Sequence, residues 1–178
     1  MNIVIVGNGL SGTILAKTLR ELDPEAGIVL LGDEKHLYYP RPNLIEYLAG
    51  NLAYERLFAF KEEWYRERRV ELHRSRTVTS IRREARSVET EGGGTFPYDR
   101  LVLAHGASAS IPPFQGTNKL GIFTLRTLDD AMAIQDYMAK HPRVAVIGGG
   151  LLGLEIARAV KTRGADVGVY EFFPRLLP

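Results

Sequence analysis

Short runs of aliphatic and β-branched residues alternate along this chain with stretches of helical spacing. Ile3-Val4-Ile5-Val6 is an apolar run stopped by Gly7, a pattern that predicts a strand buried on both faces, as in a parallel sheet. From Ser11 to Leu22, the residues Ile14, Leu15, Leu19 and Leu22 recur on one side of a helix, and Pro24 and Gly27 end it. Ile28-Val29-Leu30-Leu31 reads as a second buried strand, so strand, helix and strand make a βαβ unit with a right-handed crossover. The pattern then loosens. Tyr38-Tyr39-Pro40-Arg41-Pro42 must be extended or turned, because a residue before proline avoids the α region. Short helices are predicted at 43–49 and 61–68, and short strands at 70–72, 77–81, 87–90, 95–96 and 100–104, with Gly92-Gly93-Gly94 as a turn. Residues 110–116, with Pro112 and Pro113, read as a linker. A second series follows: a helix at 127–140 with Leu128, Ala131, Ile134 and Met138 on one face, a buried strand Val144-Ala145-Val146-Ile147, a helix at 151–162 and a strand at 166–170.

Composition narrows the class. The chain has 178 residues, 45% apolar and 25% charged, which is a globular balance. Its formal net charge of +2 is too small to imply nucleic acid or membrane binding by itself. The absence of cysteine excludes a disulfide framework, a thiolate metal site and a redox-active dithiol within the chain, and a cytoplasmic setting is the simplest reading. No run is long enough to span a bilayer. His36, His73, His105 and His141 are scattered without ligand spacing, so no metal site is expected.

Two glycine-rich segments carry the candidate chemistry. The first, Gly7-Asn8-Gly9-Leu10-Ser11-Gly12, follows a predicted strand and opens a predicted helix. In such a segment the first glycine permits a tight turn, the second lets a pyrophosphate approach the backbone, and the third lets helix and strand pack closely. The helix N-terminus then offers free N–H groups to the phosphates. Asp33 and Glu34 follow about 20 residues on, where an acid can hold a ribose hydroxyl. The second segment, Gly148-Gly149-Gly150-Leu151-Leu152-Gly153, has the same context, and Glu171 closes the next strand. A carboxylate there accepts from a 2′-hydroxyl and repels a 2′-phosphate, favouring NADH over NADPH; Arg175 stands near enough to weaken that preference. Glycines between a strand and a helix can also serve simply as tight turns, but two such segments, each with its own strand, helix and terminal acid, point to two bound dinucleotides and electron traffic between them.

With both segments placed, the chain resembles the pyridine nucleotide-disulfide oxidoreductases, within them the NAD(P)H:rubredoxin and ferredoxin reductases. The expected fold class is α/β: an FAD/NAD(P)-binding, doubly wound (Rossmann-like) domain with a small antiparallel β-meander at 1–112, then the start of a second, NAD(P)-binding domain at 113–178. By this resemblance Gly7, Gly9, Leu10, Ser11 and Gly12 form the FAD pyrophosphate motif and Asp33 binds the adenosine ribose. Arg41-Pro42 corresponds to the dipeptide beside the flavin, and Val78 touches the adenine through its backbone. Tyr98 to Gly106 matches a strand and turn usually ending Ala-Thr-Gly, with Ala104 and Gly106 kept and His105 in place of the threonine. Arg126, in Leu125-Arg126-Thr127-Leu128-Asp129-Asp130-Ala131, would contact FAD. Gly148, Gly150, Leu151, Leu152 and Gly153 form the NAD motif, with Glu155 as its trailing glutamate; Glu155 has either a direct role there or a packing one. Branch members often carry Ser-Lys where Ile45 and Glu46 stand, and that lysine pairs with the glutamate matching Glu155, a pair Glu46 cannot form.

The resemblance implies an FAD-dependent oxidoreductase passing electrons from NADH through flavin to a small redox protein, rubredoxin or ferredoxin, with orientation rather than acid–base chemistry as the protein's task and no catalytic base assigned. A homodimer is left open for the full-length protein, and no nucleic acid or membrane partner is expected. Arg66, Arg68, Arg69, Arg74, Arg76, Arg82, Arg83 and Arg86 are either a docking patch for an acidic partner or a solvated face interleaved with glutamates. A lone terminal βαβ unit buries too little area, so the chain reads as an N-terminal fragment, expected to be inactive alone. The alternatives are the flavin portion of a nitrite reductase and a non-catalytic nucleotide-binding module.

Overall fold

The computed structural model describes residues 1–113 and 115–177. Phe114, inside the predicted linker, and Pro178 lie outside the described residues. The chain divides into two compact units, Met1–Pro40 with Phe58–Ala107, and Arg41–Leu57 with Ser108–Pro178. Residues 41–57 pack with the second unit.

The first unit is built on a four-stranded parallel sheet of order β3-β2-β1-β7, from β1 (Asn2–Val6), β2 (Gly27–Leu31), β3 (Val70–His73) and β7 (Arg100–Leu103). Alternation along these strands sends side chains to two different layers. Ile3, Ile5, Ile28 and Leu30 enter a core with Ala16 of α1 (Leu10–Leu22) and Tyr65 of α3 (Glu62–Glu67). Val4 and Leu31 face the other way, onto Val88 of an antiparallel sheet β4-β5-β6 (Val78–Arg82, Ser87–Thr90, Thr95–Pro97). Burying each such aliphatic side chain contributes roughly 1.5–3 kcal/mol. The expected meander is present, its turn closed by Thr90 N–H donating to Gly94 O at 2.8 Å. The predicted face of α1 is met in part: Leu15 and Leu19 pack against this core. Gly12, Thr13 and Ala16 are buried, while Ile14 is 42% and Leu22 78% exposed. Small residues let the helix lie close on the sheet, and Ile14 and Leu22 turn outward. Arg20 anchors the far end of α1, donating to the carbonyls of Asp23, Pro24, Ala26, Arg68 and Arg69.

The second unit holds a parallel pair, β8 (Arg143–Ile147) and β9 (Asp166–Tyr170), with α2 (Asn43–Ala49), α4 (Leu128–Met138) and α5 (Leu151–Thr162). Ile45, Leu48 and Ala49 of α2 share a core with Ala159 and Val160 of α5 and Ala165, flanked by Ile134 and Met138 of α4. At only seven residues α2 has little stability of its own, and its neighbours complete it. Gln135 donates to Tyr47 O at 2.8 Å and Arg163 to Leu48 O at 3.1 Å, satisfying carbonyls at its C-terminal end. The predicted burial of β8 on both faces is not found: only Val146 is buried, and Ile147 is 62% exposed. Among the described residues the pair has no third strand. A 3₁₀ turn at Tyr54–Arg56 had no sequence signal. Among the described residues no helix is long and apolar enough to cross a membrane.

Candidate functional site

Both glycine segments fold into the same loop. Gly7 and Gly148 take φ values of +114° and +110°, a region that disfavours side chains. Each donates its N–H to the end of the neighbouring strand, Gly7 to Leu31 O at 2.7 Å and Gly148 to Tyr170 O at 2.8 Å. Gly9 and Gly150 are the extended N-cap residues of α1 and α5, and their carbonyls accept from Thr13 N–H and Leu154 N–H at 3.0 Å each. Gly12 and Gly153 press on the carbonyls of Gly7 and Gly148 so closely that a Cβ has no room. A Cβ on Gly9 or Gly150, in contrast, would meet nothing within 4 Å, and that open side is where a pyrophosphate can come up to the backbone.

The helix starts behind these loops are left open. Neither α1 nor α5 has a side-chain cap or an acid in its first turn, so the first N–H groups remain available to an anion. Helix α4 shows the alternative: Thr127 and Asp130 form a capping box, with Asp129 beside them in the first turn. The residues present therefore fit two phosphate-bearing ligands, at α1 and at α5.

The strand-end acids differ. Asp33 is exposed, with Oδ1 accepting from Glu34 N–H at 3.0 Å, while Glu34 Oε2 accepts from Tyr39 OH at 2.5 Å. Glu171 folds back on its own loop, accepting from Gly149 N–H at 2.5 Å and Phe173 N–H at 2.9 Å. Those bonds, Phe173's first, hold its carboxyl below the usual carboxylate range.

The whole chain, residues 1–178, matches the family model for pyridine nucleotide-disulphide oxidoreductases. The chain belongs to that family. It is 40% identical over 177 residues to the large subunit of nitrite reductase [NAD(P)H] of Klebsiella oxytoca, covering 98% of this chain and 18% of that protein. It is 34% identical to the ferredoxin reductase component of chlorobenzene dioxygenase from Cupriavidus sp., covering 99% of this chain and 43% of the relative. The crystal structure of NADH:rubredoxin oxidoreductase from Clostridium acetobutylicum superposes with a TM-score of 0.91 at 29% identity, over 99% of this chain and 46% of that one. The α/β fold is thus that of these reductases, and the chain spans less than half the length of each of these relatives.

The remaining candidate residues are distributed as follows. In the first unit, Val78 opens β4 and packs beside Val88. Ala104 donates its N–H to Val6 O at 2.7 Å, and Gly106 turns with φ +73°. In the second unit, Pro42 caps the start of α2, and Arg41 donates to Arg126 O at 2.7 Å. Arg126 N–H is in turn held by Asp130 at 2.9 Å. The four pairs Arg74–Glu62, Arg69–Glu25, Arg68–Glu67 and Arg82–Glu89 occupy half of the arginine cluster.

Two sets of contacts escaped the sequence reading. Behind the first loop, Asn8 Oδ1 accepts from Thr13 Oγ1 at 3.1 Å and from Tyr65 OH at 3.5 Å; Tyr65 is buried, and burial raises its phenol above its ordinary value. Beside the second, Glu155 accepts from Arg158 Nε at 3.0 Å, and Glu46 accepts from Arg158 Nη2 at 2.5 Å and from Asn51 at 2.8 Å. Glu46 and Glu155 do not pair with each other; they share one arginine. The Glu155–Arg158 spacing is legible as an i,i+3 pair, whereas Glu46 and Tyr65 lie far along the chain from their partners and leave no local pattern.

Proposed function

We propose that this chain supplies the nucleotide-binding portion of an FAD-dependent, NADH-dependent oxidoreductase that delivers electrons to a small redox protein such as rubredoxin or ferredoxin. The observation that carries it is the duplicated loop, with Gly9 and Gly150 open to a ligand and α1 and α5 uncapped behind them. The ferredoxin reductase and rubredoxin oxidoreductase relatives support the acceptor class. Bound at the first loop, FAD would supply the redox chemistry, taking electrons from NADH and releasing them to the acceptor.

The chain's own residues bind and orient. On the turn that Gly7 makes, Gly9, Leu10, Ser11 and Gly12 present backbone N–H groups to the FAD pyrophosphate, Asp33 and Glu34 take the ribose side, and Val78, Ala104 and Gly106 complete the first unit's contacts. By the resemblance to the reductases, Arg41, Pro42 and Arg126 would contact the flavin. Gly148, Gly150, Leu151, Leu152 and Gly153 hold NADH, and Glu155 stands one turn further along α5. Glu171, kept ionised by two backbone N–H groups, repels a 2′-phosphate and so favours NADH over NADPH. No side chain is assigned a proton-transfer role. A cytoplasmic location belongs to the same proposal.

A second reading, the flavin-binding portion of a nitrite reductase, is favoured by the identity to the Klebsiella large subunit. An absorption spectrum of the protein with FAD, before and after anaerobic NADH, tests the proposal. A flavin band that bleaches supports it, with rubredoxin, ferredoxin and nitrite then compared as acceptors; no retained flavin counts against both readings for this chain.

A further inference from the structure

Three charged side chains from two helices meet beside the start of α5. Arg158 forks between Glu155, one turn back on its own helix, and Glu46 on α2. All three side chains are between 43% and 45% exposed, so a lone pair here would contribute little to stability. Its position matters more. Glu155 stands four residues after Leu151, the first residue of α5, or about 6 Å along the helix axis. That distance is inside a Debye length of about 10 Å at 0.1 M salt. The start of α5 is the seat assigned above to an anionic pyrophosphate.

A carboxylate so near an anion seat opposes its ligand unless it is neutralised, and Glu46, bonded to the same arginine as Glu155, adds a second negative charge to the cluster. Asn51 and Arg158 hold Glu46 ionised, below the usual carboxylate range, so protonation does not relieve the repulsion near neutral pH. Arg158 does. With it the cluster carries a net charge of −1, from two carboxylates and one guanidinium; without it, −2.

We propose that Arg158 is a positioning residue of the second nucleotide site: it neutralises Glu155 and Glu46 so that an anionic dinucleotide can settle on the α5 N-terminus. This rests on the reading of that loop as the NADH site. Arg158 acts through the two acids and touches no ligand itself.

The test is a titration of the protein with NADH, followed by nucleotide fluorescence at ionic strengths of about 0.01 M and about 1 M, with thermal melts to confirm folding. Arg158→Ala is expected to weaken binding about fivefold at low salt and hardly at all at high salt. Adding Glu155→Gln to Arg158→Ala should recover most of the loss, and Arg158→Lys should retain most of the wild-type affinity. Lys161→Ala makes the same charge change in the last turn of α5 and should match wild type. The proposal fails if Arg158→Ala binds NADH as wild type does at low salt. It fails equally if the loss is insensitive to salt and to Glu155→Gln, which would mean lost packing. Should Arg158→Ala not fold, Arg158→Gln against Arg158→Lys at low salt decides the same question. Wild-type protein that binds no NADH overturns the reading of the site itself; wild-type binding with indifferent variants overturns only the role of Arg158.

Discussion

The two glycine loops share a backbone and differ in what stands behind them. In both, a glycine at positive φ bonds the neighbouring strand, an extended glycine starts the helix, and a third glycine presses on the first one's carbonyl. Yet a Cβ on Gly7 would collide with the Ala104 carbonyl at the end of β7, whereas one on Gly148 would meet nothing. Asn8 is braced by Thr13 and by Tyr65 from α3. Its counterpart Gly149 has no side chain, and its N–H is held instead by Glu171, the acid that closes β9. The first loop is thus supported by distant parts of its unit and the second by its own strand end. The shared geometry comes from a local spacing of glycines, and the support comes from tertiary contacts that each unit makes separately.

Several substitutions would break or sharpen that comparison. The shared third glycine should be the most sensitive point in both units: Gly12→Ala and Gly153→Ala each drive a Cβ into a fixed carbonyl, with an expected loss of about 3–5 kcal/mol in denaturant unfolding. Leu48→Ala should cost the second unit about 3 kcal/mol, measured the same way, because Leu48 is fully buried against α5. Alanine at the first glycine separates the loops. Alanine at either position incurs backbone strain of about 1–3 kcal/mol, but Gly7→Ala should cost about 1–2 kcal/mol more than Gly148→Ala, since only Gly7 faces a carbonyl in addition. Removing the hydroxyl with Tyr65→Phe should cost about 1 kcal/mol and weaken FAD binding while leaving NADH binding intact. Acid should loosen the second loop first. The Glu171 carboxyl lies below its ordinary range when folded, so its stabilising effect is complete above the unfolded value and disappears as pH falls through the folded one. Glu171→Gln should abolish that part of the pH dependence in a pH series of melts.

Much of this architecture is legible in the sequence because it is local. The runs at Ile3–Val6 and Ile28–Leu31 lie in strands β1 and β2, the loops stand where the glycine spacing put them, and the helices at 43–49 and 151–162 have their predicted bounds. What was not legible depends on partners far along the chain. Periodicity placed Ile14 and Leu22 on the buried side of α1, but Gly12 and Ala16 set the contact because their size allows close approach to the sheet. The apolar run in β8 implied two buried faces, yet the described residues cover only part of it. Nothing local in residues 43–49 shows that α2 packs on α4 and α5, or that Glu46 meets an arginine 112 residues away. The contact between Tyr65 and Asn8, 57 residues apart, is of the same kind.

The central claim is that one chain carries two separate dinucleotide seats, each opened by the absence of a side chain at one glycine. Equilibrium titration of wild type, Gly9→Leu and Gly150→Leu with FAD and with NADH tests it most directly. Wild type should bind both without competition, Gly9→Leu should lose FAD and keep NADH, and Gly150→Leu should do the reverse. Competition between the two nucleotides for wild type, or equal damage to both by either leucine, would contradict it.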